Sequence, residues 1–530
     1  MLSRTVLLTL ASGLLFPLAL PNELFPLGAP LLGVVALAPY YLALRATDRA
    51  KSAARLGALF GAVSTIIANY WLMFFGDYSV WTIGGTTIGY IAYNYVLAGF
   101  LWKTTRAPAA YRPVLFAMAW ALYEYAKSIG FLAYPWGLAA YPFSDLIVVN
   151  QIVDVTGVWA LSFLAVYITA TLAELVAGGA AGLSTRRAWF APPTLRNAGM
   201  AAVLVAIVAG YGAVRLQSEV PVRDTLDLVL VQQNADAWNT SNIARPLRTA
   251  QEETERGLAD LEHDPELVVW SETSLRYFYE EDRDEDRDWY AANPPERPFL
   301  DFVSDLPAPL LTGSPLRDPD DEFAVYNAVL LIDGDTTVRQ WYGKQHLVPF
   351  AEVIPFWDTP LVRDFFSSVI GIPGIWAPGP GSRLFRVTGN EGREVAIATP
   401  ICFEDGFAYV NRRFVLAGAD VILNLTNNAW SRTDSAQLQH FVAARYRAIE
   451  TRRGLVRSTN SGYTSVVDPW GRVTDSLPMF ETAHLSVRVP VYEPDSEPIY
   501  MRWGDYLPQL FLLVLAALFA FEQRPKRARE

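Results

Sequence analysis

The chain has 530 residues, 52% of them hydrophobic, with a formal net charge of −11, four histidines and a single cysteine. Its length exceeds one ordinary domain, and its positive mean hydropathy is too high for a wholly soluble protein, so a membrane part joined to a soluble part is expected. The acidic balance argues against nucleic acid as a partner, one cysteine excludes an internal disulfide, and so few His and Cys exclude a zinc site of the usual Cys/His type.

Taken in chain order, long apolar runs crowd the first 215 residues. Candidate spans are 3–20, 28–44, 56–75, 83–102, 114–132, 156–176 and 198–214, with an eighth at 506–521; each is near the roughly 20 residues needed to cross a bilayer. Arg4 before an apolar stretch resembles a secretory signal, but the next span follows directly, so the first is expected to be retained. Alternate connections are basic: Arg45, Arg49, Lys51 and Arg55; Lys103, Arg106 and Arg112; Arg186, Arg187 and Arg196; and the tail Arg524, Lys526, Arg527 and Arg529. The intervening segments 21–27, 76–81 and 133–145 carry neither Lys nor Arg. The positive-inside rule then puts both termini in the cytoplasm and the insert between spans seven and eight outside. Glu124 and Lys127 are expected either to satisfy one another inside the bundle or to face a substrate. The aromatic stretch 134–143 reads as an interfacial elbow on the outer side.

From about residue 221 to 498 the pattern changes to short β-branched runs separated by amphipathic stretches. Strands are expected at 226–232, 267–270, 310–312, 325–332, 337–342, 395–399 and 421–425, and helices at 246–262 and 436–453. This alternation predicts a layered α/β domain whose sheets are covered on both faces. The acidic run 278–288 reads as a solvated loop. Three chemically competent side chains stand just past strands: Glu272 in WSETS, Lys344 in YGKQHLVPFAE and Cys402 in ATPICFED. Strand ends are where α/β enzymes commonly place their sites. A thiol attacks as thiolate; an ammonium nearby stabilises that anion and a carboxylate takes the proton. Glu272 is therefore the candidate base, Lys344 the oxyanion partner and Cys402 the nucleophile. A Cys–His pair using His346 or His440 is the alternative within the same domain. No metal or dissociable cofactor is implied.

The order WSETS, GKxHLVPF and PICFED resembles the Glu-Lys-Cys triad of the nitrilase superfamily of carbon–nitrogen hydrolases. With HLVPFAEVIP, the later NLTNNAW and flanking spans, the whole chain is similar to that superfamily's membrane-bound branch, the apolipoprotein N-acyltransferases. The resemblance implies a polytopic helical bundle of about eight spans carrying an αββα nitrilase-like sandwich. The domains are then 1–215 with seven spans, 216–500 as a periplasmic catalytic domain, and 501–530 as a last span with a basic tail. It implies an inner-membrane enzyme, and a monomer is expected. In that family an acyl chain from a phospholipid, typically phosphatidylethanolamine, passes through a cysteine thioester to the N-terminal cysteine of a diacylated apolipoprotein.

By motif match Glu272, Lys344 and Cys402 are the catalytic residues, and Glu352, Glu404 and Trp238 support them. Phe403 stands where the family usually has Tyr, and the motif from Asn427 to Arg432 departs from the usual Asp and Phe-Gly. A membrane-tethered amidase or nitrilase ending with water is the competing expectation. A transporter or sensor fits less well, because the bundle lacks a dense array of charges. The segment 353–378, apolar and rich in aromatics, Pro and Gly, is expected to be either a packed loop or an arm that dips into the bilayer and gates acyl-chain entry.

Overall fold

The computed structural model describes residues 2–181, 192–238, 244–282, 298–318, 321, 323–372 and 374–522. Arg186, Arg187, the basic tail from Arg524 and most of the acidic run 278–288 lie outside them. The chain divides into two units: Met1–Met73, Ser79–Ser218 and Arg502–Glu530 form one, and Phe74–Tyr78 with Glu219–Met501 form the other.

The first unit is helical: α1 (Arg4–Ala19), α2 (Ala38–Arg45), α3 (Ala50–Ala68), α4 (Ser79–Thr104), α5 (Arg112–Lys127), α6 (Trp159–Ala181) and α7 (Pro192–Gln217), with a last helix Tyr506–Glu522. Within them Trp159–Gly178 and Pro193–Gln217 are long and apolar enough to cross a membrane. The run 28–44, expected as one span, is instead the short helix Pro30–Gly33, a turn and α2. Pro39 has no N–H to continue the ladder, so the helix must restart there. Helix α3 carries Gly57 and Gly61 four residues apart, where a Cβ would lie 2.2 Å from the Asn94 carbonyl oxygen and 2.6 Å from that of Tyr90. Small residues at this spacing let α3 and α4 pack backbone to backbone. Beside them Tyr40 stacks on Phe60 with centroids 4.6 Å apart.

Glu124 and Lys127 do not pair with each other among the described residues. Glu124 Oε1 accepts the Ala139 N–H at 2.7 Å and the Trp120 indole N–H at 2.8 Å, while Lys127 Nζ donates to the Trp136 carbonyl at 2.6 Å. One turn apart on α5, they reach the same elbow and satisfy its buried backbone groups, which outweighs a direct ion pair.

The second unit contains two six-stranded sheets, ordered β12-β1-β2-β3-β4-β5 and β11-β10-β9-β8-β7-β6. The strands are β1 (Val222–Gln232), β2 (Leu267–Trp270), β3 (Leu310–Arg317), β4 (Val325–Ile332), β5 (Val338–Gly343), β6 (Leu384–Thr388), β7 (Glu394–Ala398), β8 (Val421–Thr426), β9 (Gly454–Thr459), β10 (Ser465–Val467), β11 (Val473–Ser476) and β12 (Ala483–Tyr492). In each sheet the three strands nearest the middle, β1-β2-β3 and β7-β8-β9, run parallel, and antiparallel strands flank them. The sheets face each other across β1, β2 and β9, with Gln232 accepting the hydroxyls of Thr459 and Thr464 between them. Helix α8 (Ala244–Ala259) covers β1 and β12, and α9 (Ala408–Leu416) and α10 (Asp434–Thr451) cover β7 and β9. Strands buried on both faces are continuous in apolar residues, as LVVW and VILNL are. Under the first outer layer, Trp270 packs on Phe302 at 5.7 Å and on Phe299 at the same distance.

Candidate active site

Strand β7 runs into Pro400 and Ile401, and the chain then turns sharply at Cys402, whose φ is +54°. A left-handed conformation at a non-glycine residue is strained and is held only where its surroundings over-determine it. Here the amide of Asn424 on β8 donates to the carbonyls of Pro400 and Cys402, both at 2.9 Å. A 3₁₀ turn, Cys402–Gly406, follows, and a helix begins at Ala408.

The turn is also held from the other sheet. Buried Glu404 accepts the N–H of Ile401 at 2.7 Å, of His346 at 2.8 Å and of Gln345 at 2.9 Å, and the Tyr342 hydroxyl at 3.0 Å. One carboxylate thereby fastens the loop after β5 to the Cys402 turn. Burial pushes the Glu404 carboxyl up, and these backbone donors oppose the shift.

Lys344, 1% exposed, sits at the end of β5 with Nζ 2.9 Å from Glu352 Oε1 and 3.8 Å from Glu272 Oε1. Glu272 follows β2 across Gly313, where a Cβ would come within 2.7 Å of the Glu272 Cα. The Asn327 amide on β4 donates to Glu272 at 2.8 Å and to Glu352 at 3.2 Å. The outer oxygens accept backbone N–H groups: Glu272 from Asn427 and Glu352 from Val348, both at 2.8 Å. Each carboxylate is thus aimed by two fixed donors.

Burial alone would pull the Lys344 ammonium down, but Glu352, Cys402 and Glu272 outweigh it and hold the charge firmly. Burial and the Glu272 charge push the Cys402 thiol up, against the opposing pull of Lys344 and the Thr426 hydroxyl. The Cys402 thiol thus lies in the combined field of the Glu272 carboxylate and the Lys344 ammonium. Such a thiol reacts by giving up its proton as it attacks, which requires an adjacent base.

Phe403 places its ring 5.3 Å from Lys344 Nζ and 5.0 Å from the Phe407 ring. His346 is held down to about 4 by burial and by Lys344; its Nδ1 meets the Tyr409 hydroxyl at 2.5 Å. His440 engages Asp405 through Nε2 at 2.7 Å and Asn428 through Nδ1 at 3.0 Å. Both imidazoles are committed elsewhere, which disfavours a Cys–His pair. Trp238 donates its indole N–H to the Trp430 carbonyl at 3.2 Å and lies near Phe75 and Tyr78. The NNAW motif contributes through backbone and amides: Asn427 Oδ1 also accepts from Asn460 at 3.0 Å. Departures in its later side chains leave that contact to Glu272 intact.

The segment after Glu352 projects apolar side chains, with Phe356 and Leu361 each 80% exposed. It forms the short helix Pro360–Phe365 and a π turn, Phe366–Ile370. Its base is tied by backbone hydrogen bonds of 2.8 Å from Trp376 to Glu352, from Ala377 to Val325 and from Gly379 to Lys344. Asn327, Asn424 and Arg457 carry weight that no short motif revealed, and Asp405 lies inside PICFED without having been singled out; a polar residue inside an otherwise apolar strand was the available signal for the two asparagines and for Arg457.

A buried Cys-Lys-Glu cluster at the strand ends of two facing sheets defines a carbon–nitrogen hydrolase domain, and residues 230–491 match the Carbon-nitrogen hydrolase family model. Residues 12–171 match the model for the Apolipoprotein N-acyltransferase N-terminal domain. The chain is 37% identical to apolipoprotein N-acyltransferase 2 of Treponema denticola, covering 98% of both chains. It is 37% identical to the protein of that name from Treponema pallidum, over 98% of this chain and 94% of the relative, and 29% identical to the Borreliella burgdorferi apolipoprotein N-acyltransferase. The chain belongs to the apolipoprotein N-acyltransferase family and is an acyltransferase.

Proposed function

We propose that this membrane enzyme N-acylates lipoproteins by a ping-pong route through Cys402. The convergence of Cys402, Lys344 and Glu272 from two sheets carries the reading. Glu272 takes the thiol proton while Sγ attacks the ester carbonyl of a phospholipid, and Lys344 with backbone N–H groups of the turn faces the oxyanion. The tetrahedral intermediate collapses, the C–O bond breaks, and Glu272 returns the proton to the departing lysophospholipid. The α-amine of a diacylated N-terminal cysteine then attacks the thioester. Glu272 removes the amine proton and restores the thiol as the amide forms. Glu352 and Asn327 hold Lys344 and Glu272 in register, Glu404 holds the turn, and Phe403 lines the ammonium. Trp238 belongs to an aromatic surface for substrate.

Both substrates are lipid-anchored, so we assign the chain a multi-pass bundle of about eight spans. Residues 1–215 and 501–530 lie in it with both termini cytoplasmic, and 216–500 form the catalytic domain on the outer face. The apolar segment 353–378 is read as an arm that enters the outer leaflet, phosphatidylethanolamine as the donor, and the functional unit as a monomer. Mass spectrometry of purified enzyme with phospholipid is expected to find an acyl increment on Cys402 that disappears when a diacylated lipopeptide is added. Release of free fatty acid with no acylated amine would overturn transfer and favour an amidase-like hydrolase.

A further inference from the structure

Arg457 is the one wholly buried cation near the nucleophile that the acyl-transfer steps leave unused. It stands in the middle of β9, 0% exposed, with Nε 3.1 Å from Oδ2 of the equally buried Asp405. Among the described residues neither Nε nor the terminal nitrogens reach hydrogen-bond geometry with a partner, and Asp405 Oδ2 is likewise without one, so the contact is an ion pair; the Phe441 ring lies 6.0 Å from the guanidinium carbon. A guanidinium taken out of water this completely is destabilising unless its partner needs it, and an aliphatic residue would fill a strand interior at less cost.

Asp405 lies three residues past Cys402 in the same turn, and its other oxygen accepts from His440 at 2.7 Å. Burial holds His440 down, so the ring is neutral there and Arg457 supplies the full positive charge in contact with Asp405. Arg457 is also paired in register with Asn424 on parallel β8. Side chains directly opposite on neighbouring strands point to the same face. Asn424 holds the carbonyls of Pro400 and Cys402, while Arg457 holds Asp405. Two adjacent side chains on one sheet face therefore grip the turn before and after the sulfur.

We propose that Arg457 is a positioning residue for acyl transfer, acting through Asp405 to compensate a buried carboxylate beside the nucleophile and to fix the turn that presents Cys402. This rests on the reading of Cys402 as acyl carrier. Among the described residues the charged and titratable groups around the turn are Glu272 after β2, Tyr342 on β5 with Lys344, His346 and Glu352 after it, Glu404 and Asp405 in the turn, Tyr409 on α9, His440 and Arg447 on α10, and Arg457 on β9. Arg447 donates to the Gly406 carbonyl and pairs with Glu450, leaving Arg457 to balance Asp405. Burial lowers Arg457, and the charges of Asp405 and Cys402 support its protonated form, which ties the guanidinium electrostatically to the sulfur.

The test uses the full-length enzyme in phospholipid nanodiscs. Cys402 is the sole thiol, so iodoacetamide alkylation against pH reports it alone, alongside acyl-enzyme formation from phospholipid. Arg457→Met should slow alkylation about tenfold at any given pH, equivalent to a displacement of about one pH unit upward, and slow acyl-enzyme formation at least as much. Arg457→Lys should recover most of both. The double variant Arg457→Met/Asp405→Asn should alkylate within about threefold of wild type, because both charges leave together. A folded Arg457→Met enzyme with an unmoved profile would overturn the proposal. If that variant does not fold, Asp405→Asn decides: faster alkylation at a given pH supports it and an unmoved profile refutes it. Absence of any acyl-enzyme on wild-type Cys402 would instead sink the underlying reading, whatever the Arg457 variants do.

Discussion

Replacing Asn327 by Leu keeps a side chain of similar size in β4 and deletes the amide that donates to Glu272 at 2.8 Å and to Glu352 at 3.2 Å. Hydrogen bonds to charged groups contribute about 1.5–3 kcal/mol each. Taking the shorter bond in full and the longer at about half gives roughly 2–4 kcal/mol. Because the base must be aimed when the thiol proton leaves, most of that loss is expected in the rate of Cys402 acylation, a fall of roughly 30- to 900-fold. Rapid-quench mass spectrometry of the acyl-enzyme measures it, with thermal unfolding run in parallel to establish that the variant is folded. A folded Asn327→Leu enzyme acylating within threefold of wild type would show that the carboxylates are aimed by their backbone donors alone.

Glu404→Gln removes the anionic acceptor shared by Ile401, Gln345 and His346; a loss of about 2 kcal/mol or more is expected, read as a lower denaturant midpoint with unchanged m. Since burial and Glu272 push the thiol up, alkylation of Cys402 should climb steadily from pH 6 to pH 9, and His346→Gln should leave that climb unaltered because the ring is already neutral above about 4; an inflection lost in His346→Gln would contradict this. Asp227 is held down to about 2, first by hydrogen bonds from Arg488. Its folded value lies below the unfolded one of about 3.9, so its stabilisation is present above that value and disappears as pH falls toward 2. Unfolding curves at several acidic pH values should be flatter for Asp227→Asn in that window. Substituting Trp357, Phe365 and Phe366 by Ser should slow acylation from phospholipid vesicles while leaving iodoacetamide alkylation unchanged; unchanged lipid turnover would remove the arm's assigned role.

Glu272, Lys344 and Cys402 were legible because each sits just after an apolar strand, where a polar or reactive group is conspicuous. Strands β1, β2, β4, β7 and β8, and the first residues of β3, were legible for the same reason, since burial on both faces leaves apolar runs; β5, half-buried along most of its length, showed itself by its Val and aromatic residues. Strands β6 and β9 to β12 were not. β11 alternates half-buried and exposed residues, and β9 reads GLVRST, with a charge at its centre. That arginine is tolerable only beside Asp405, a partner 52 positions earlier that no local pattern reveals. The Glu124 and Lys127 pairing failed for a related reason: three-residue spacing shows that two side chains share a helix face, but not that an elbow's backbone waits there. Asn327 showed only as a polar residue in an apolar strand, and its role stayed hidden because an amide gains its meaning from two carboxylates brought by other strands.

The backbone ties at the base of the 353–378 segment have an evolutionary consequence. Trp376, Ala377 and Gly379 close the loop on Glu352, Val325 and Lys344 without using a single side chain from the projecting part. Apart from the buried Ile354 and Ile372 and Phe366, which stacks on Phe350, the exposed stretch distal to those ties can change in length and composition with little disturbance to the site, since extending a closed loop costs only about 0.6 kcal/mol per doubling. The exposed stretch is an exchangeable cassette on a fixed socket, which can be lengthened or recomposed while Lys344 and Glu352 stay where they are.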